Sequence, residues 1–164
     1  MTGSELAQIY EFSYGATQRN LDGLTHEDSM ISPEPAGNCI NWVLGHMVTG
    51  RGLVLLLAGV SPTALTDDEA AAYKRGSAAL TASGDAVDFA RLKSELDETQ
   101  QRLIPALQSL SEATLSADVP EQFRRPPLNG TVGQALARLS YHEGYHNGQI
   151  GILRRLAGKE SAIK

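Results

Sequence analysis

The sequence predicts an all-α fold, a four-helix bundle with long connections and a short extra helix between its second and third long helices. Three observations carry this. Apolar residues recur at three- and four-residue steps in four long stretches, capping-box spellings stand before several helices, and no alternating run reaches strand length. At 164 residues, 41% hydrophobic and 20% charged, the chain reads as one domain, residues 1–164, long enough to bury a core.

The first long helix is expected from about Glu5 to Leu24. Thr2-Gly3-Ser4-Glu5 has capping-box spacing, and Leu6, Ile9, Tyr10, Ser13, Thr17, Leu21 and Leu24 share a face. His26, in the polar THEDS segment, reads as a solvated residue beyond it. Pro33 and Pro35 bar a helix between Ile31 and Gly37. Asn38 is the expected N-cap of the second long helix, from about Cys39 to Ala58, with Gly59 as its stop. Val43, Met47, Gly50, Leu53, Val54 and Leu57 form its inner stripe. Leu44, Val48, Leu55 and Leu56 spread apolar character around it, which marks a central helix or one that also faces a partner.

Residues 61 to 87 read as a long connection holding a short helix, opened by Thr66-Asp67-Asp68-Glu69 and stopped at Gly76. Ser83-Gly84-Asp85 is the expected opening of the third long helix. Phe89, Leu92, Leu96, Leu103, Leu107 and Leu110 carry it to about Leu110, with a kink expected at Pro105. Residues 111 to 130 read as a loop. The fourth long helix starts at Thr131, whose partner Gln134 completes another capping box, and ends near Ala157-Gly158.

Composition narrows the function. The balance of 14 basic and 19 acidic residues, a formal net charge of −5, argues against a nucleic-acid-binding surface. The most apolar run, Leu53 to Val60, is too short to span a bilayer, so no membrane role is expected. With no basic-then-apolar leader and a single cysteine, Cys39, a cytoplasmic setting is expected.

The chemistry concentrates in the last helix. His142 and His146 are four residues apart, which puts them about 40° apart around a helix and roughly 6 Å along it, a suitable separation for two ligands of one ion. They fall near the middle of the stripe formed by Val132, Ala135, Leu139, Ile150, Leu153 and Ala157. His46 falls within the second helix's inner stripe. An unpartnered imidazole in a core costs on the order of 1–3 kcal/mol, so three of them call for a common explanation. A divalent ion held by His46, His142 and His146 supplies one.

His142-Glu143-Gly144-Tyr145-His146 also matches the H-E-x-x-H spelling of zinc peptidases, in which the glutamate is general base. The downstream positions of the extended motif hold Gln149 and Ile152, no histidine follows His146, and flanking strands are absent. The peptidase reading therefore gives way to the three-histidine one. Glu143 remains a candidate base at the site's edge. Gln149, one turn beyond His146, is a candidate to orient a ligand or bound water, Tyr145 flanks the stripe beside Glu143, and Trp42 is a candidate to wall the pocket. Cys39 shares a face with His46 but lies two turns away, roughly 10 Å, and reads as a small buried hydrophobe.

These residues resemble a known family. NWVLGHMVTGRGLVLLLAG with its histidine, followed much later by YHEGYHNGQIGILRRLAG, looks like the DinB/YfiT-like four-helix bundles, over nearly the whole chain to Gly158. The resemblance implies a divalent metal, zinc, nickel or iron, on His46, His142 and His146. It also implies chemistry with low-molecular-weight thiols such as bacillithiol or mycothiol, and a homodimer. Gly45, Gly52 and Gly59, with Gly144, Gly148 and Gly151, would allow close helix approach, a dimer surface or room beside the metal. The leading expectation is a metal-dependent enzyme acting on a small molecule, either a thiol S-transferase or a hydrolase. The alternatives are a non-catalytic metal-binding or stress-response bundle, and a metal-free helical dimer.

Overall fold

The structure, a computed structural model, describes residues 1–62, 65–80, 86–126 and 128–163. Its long helices are α1 (Gly3–Leu21), α3 (Ile40–Leu57), α5 (Phe89–Gln108) and α7 (Val132–Leu156). The connections carry α2 (His26–Ser29), α4 (Asp67–Ala72), α6 (Glu112–Ser116) and a 3-10 turn at Glu121–Phe123. The expected all-α class and four-helix plan are found. Thr2, Thr66 and Thr131 each accept from the backbone N–H three residues on, and Glu5, Glu69 and Gln134 return the bond, so the three capping boxes stand as spelled.

Around the bundle the order is α1, α5, α3, α7, each long helix packing on two others. Contacts between Tyr10 and Leu136 and between Asn20 and Asn147 run in the same chain sense, so α1 and α7 are parallel. Asn41 to Val87 and Arg51 to Gln100 make α3 and α5 parallel as well. Gly3 against Leu107 and Tyr14 to Asp97 make α1 and α5 antiparallel, as His46 with His146 and Val54 near Leu139 do α3 and α7. Two parallel neighbours in direct succession, α3 and α5, require the long crossover between them.

The core falls into two apolar halves. One gathers Ile40, Val43, Leu44, Met47, Leu92, Leu96 and Ile150; the other gathers Leu6, Tyr10, Leu55, Leu103, Leu107 and Leu136. Between them lies a buried polar layer containing Ser13, Arg51, Gln100, Glu143 and Asn147. By length and composition α3 could cross a membrane, but 72% of it is buried inside the bundle, where a central helix has to be apolar all round.

Several boundaries differ from the sequence reading. α1 stops at Leu21, and THEDS forms α2 with a capping box of its own, Thr25 with Asp28. His26 is tied in rather than merely solvated, since its Nδ1 accepts the Phe89 backbone N–H at 3.2 Å and so meets one orphan donor of α5. Cys39, not Asn38, is the N-cap of α3, without a side-chain cap bond. The expected opening Ser83-Gly84-Asp85 lies outside the described residues; α5 begins at Phe89, where Asp88 accepts the Arg91 N–H. It continues through Pro105 to Gln108. The 111–130 segment is less irregular than expected, because Ser111 caps α6. Gly59, at φ 78°, ends α3 one residue beyond its C-cap Ala58, a left-handed position suited to glycine.

Candidate metal centre

α3 and α7 run antiparallel, so His46 in the first half of one meets His142 and His146, which straddle the middle of the other. The His142 Nε2 lies 3.2 Å from the His46 Nε2 and 3.0 Å from the His146 Nε2. A ligand atom from each histidine fits within a 4.8 Å span. Two imidazole nitrogens bound to one zinc at 2.0–2.1 Å stand roughly 3.0–3.4 Å apart, so this spacing suits a shared ion. His146 is buried, while His46 and His142 are half-buried, leaving the cluster open on one side.

The opposite ring nitrogens set the tautomers. His46 Nδ1 lies 2.7 Å from the Tyr73 carbonyl oxygen, which can only accept, so Nδ1 carries the proton and Nε2 a lone pair. His146 Nδ1 donates to Gln149 Oε1 at 2.6 Å, with the same result. Two lone pairs thus converge with His142 Nε2, which has one proton at most to share between them. A cation resolves the conflict, and the donor set fits a divalent first-row ion. Burial, then the neighbouring His46, lowers the His142 pKa. Burial is also the main cause that lowers His146, to about 4, with His142 and His46 adding to it against the raising effect of Gln149. Both rings are therefore neutral, as ligands must be, at neutral pH.

The crossover supplies the outer wall. Tyr73, at the C-terminal end of α4, is fully buried, and its hydroxyl donates to Asn41 Oδ1 and accepts from the Val87 N–H. Its ring lies against Gly45, where a Cβ would overlap it. Trp42 stacks on His46 at 4.9 Å and 13°, and its Nε1–H donates to Ser77 Oγ at 2.8 Å. Tyr145, well exposed, sets its ring edge to face on His146 at 5.2 Å.

The structure gives Glu143 a different place from the base considered above. Its side chain is buried, and its two oxygens accept from Arg51 Nε at 3.0 Å and Arg51 Nη2 at 2.6 Å, with Ser13 Oγ donating to one of them at 2.8 Å. The candidate base is thus the acceptor in a buried ion pair, facing Arg51 and Ser13 inside the bundle. Cys39 is buried, as expected, and burial raises its thiol pKa. Arg51 and Tyr73 join the site without having stood out in the sequence. A lone cation inside GHMVTGRGLVLLL was a usable signal for the first; a backbone carbonyl left none for the second.

A family model, the DinB superfamily, matches residues 9–150. The chain belongs to this superfamily. Its fold is also that of a conserved protein from Enterococcus faecalis, whose crystal structure superposes with a TM-score of 0.73 at 20% identity, covering 97% of this chain and 99% of that one. No curated protein matches the sequence. Alongside membership in the DinB superfamily stands a cluster of three histidines, His46, His142 and His146, that could hold a metal ion between α3 and α7.

Proposed function

We propose that this protein is a metal-dependent enzyme of the DinB superfamily, acting on a small molecule with a low-molecular-weight thiol as cosubstrate. One observation carries the reading: two histidines are locked as Nε2 acceptors and aimed with a third at one point. His46, His142 and His146 would hold the ion. When bound, it supplies Lewis acidity that lowers the pKa of a coordinated water or thiol.

The protein's own residues divide the remaining work. The Tyr73 carbonyl and Gln149 keep two ligands in the binding tautomer, while Trp42 covers one face of His46. Glu143 is buried and engaged by Arg51 and Ser13, which favours thiol transfer over a hydrolysis that uses Glu143 as general base. The same observation gives weight to a second reading, a metal-binding bundle without catalysis. We place the protein in the reducing cytoplasm as a homodimer. The α1–α7 face supports the dimer, since Phe12 and Ile152 are 77% and 70% exposed beside the open backbone of Gly144 and Gly148.

Elemental analysis of protein prepared without a histidine tag tests the site. The wild type is expected to carry close to one equivalent of a first-row divalent ion, and His46→Ala to carry little. Absence of metal from both overturns the reading. A panel of bacillithiol and mycothiol with electrophiles separates enzyme from binding bundle: metal-dependent turnover supports the first, and none with any pair supports the second.

A further inference from the structure

We infer that the buried polar layer built on Arg51 and Glu143 positions the three-histidine site, fixing α7 against α3 so that side chains remote from the ion set its affinity. The inference rests on the metal reading above and goes beyond it. Arg51 and Glu143 belong to the two helices that supply all three ligands. Arg51 follows His46 by five residues; Glu143 follows His142 directly and precedes His146 by three. Their bidentate contact, at 3.0 and 2.6 Å, satisfies two nitrogens of a planar guanidinium. Such a fork accepts a carboxylate in few orientations, unlike an apolar contact, which can slide.

The layer reaches the other two long helices as well. Arg51 Nη1 donates to Gln100 Oε1 at 2.8 Å, and Ser13 Oγ donates to Glu143 Oε1 at 2.8 Å, so α5 and α1 join the pair. Asn147, beside His146, is bonded to Asn20 and to the Ser13 carbonyl. All five nearest members, Ser13, Arg51, Gln100, Glu143 and Asn147, are buried.

Stability alone gives little reason for the arrangement. Apolar clusters lie on both sides, and a hydrophobic replacement of a buried ion pair is often neutral or stabilising. Geometry gives a better one. Metal–ligand distances tolerate only a few tenths of an ångström, and one residue of rotation in α7 would turn His142 away from His46 by about 100°.

The test measures zinc and cobalt affinity by chelator competition, beside folding stability, in Glu143→Gln, Arg51→Met/Glu143→Leu, Ser13→Ala and Leu107→Ala. The double variant is expected to fold and yet to bind zinc at least tenfold more weakly, with an altered visible spectrum for bound cobalt. Glu143→Gln should lose a similar factor. Leu107→Ala, a cut in the apolar half beyond the layer, should lose stability and keep affinity within about twofold. A folded double variant with wild-type affinity overturns the inference, and so does Leu107→Ala if it weakens binding equally. If the double variant does not fold, Ser13→Ala decides, with a loss of several-fold supporting the inference and none overturning it. Failure of the wild type to bind metal would instead overturn the metal reading itself.

Discussion

At His46 and His146 the nitrogen facing away from the cluster determines what the other one offers. Gln149 performs this service through a side chain, so it can be removed. Gln149→Leu is expected to weaken metal binding by roughly 10–100-fold while leaving all three ligands in place, the usual size of such an effect, and calorimetric titration reads it. Acid should act on the same ring. His146 is held at about 4, below its ordinary 6.5, so between those values the unfolded chain binds more protons than the folded one. The metal-free protein should accordingly lose stability as pH falls from 6.5 towards 4 and show little of this dependence above about 7. Urea midpoints against pH check the slope, which His146→Leu should flatten. The three histidines could be found from sequence because each sits on an apolar helical face, where a polar ring stands out. The role of Glu143 could not, because it depends on which way Arg51 reaches across from another helix.

The element that most alters the site is the crossover between α3 and α5. Tyr73 inserts its ring over Gly45 and thereby places its own carbonyl on His46. Gly45→Ala should push the ring away, costing about 1–3 kcal/mol in stability as overpacking does, and it should weaken metal binding without touching a ligand. Thermal melts with and without zinc would read both effects, and a variant that keeps wild-type affinity would remove the crossover from the site. Of the long helices, α1 and α7 were the most legible because period and cap agree at Thr2 and Thr131, and the cap at Thr66 marked the short α4. The starts of α3 and α5 were less so. Asn38 had the right residue type one place too early, and α2 and α6 are short turns with little periodicity to read.

For the whole molecule, the exposed α1–α7 face bears on assembly. If two copies meet there, Phe12→Glu should convert a dimer to a monomer in sedimentation equilibrium while metal content stays unchanged, because the histidines lie in the α3–α7 seam. A monomeric wild type would contradict the proposed homodimer. The bundle's order around its axis was not legible from sequence. Amphipathic faces show that helices pack, whereas their neighbours are chosen by contacts such as Arg51 with Glu143 and Tyr10 with Leu136.

The antiparallel meeting of α3 with α7 also orders events in time. His46 and His142 are 96 residues apart, and α7 comes after the other three long helices along the chain. As the chain is made, two of the three ligands and the acceptor for Arg51 arrive with its last long helix. Contacts so distant in sequence form late, after the loops between them have closed. Until then Arg51 has no counter-charge and His46 no companions. Capture of an ion at the proposed site would therefore belong to the docking of α7, and a loaded site would report that α7 has docked.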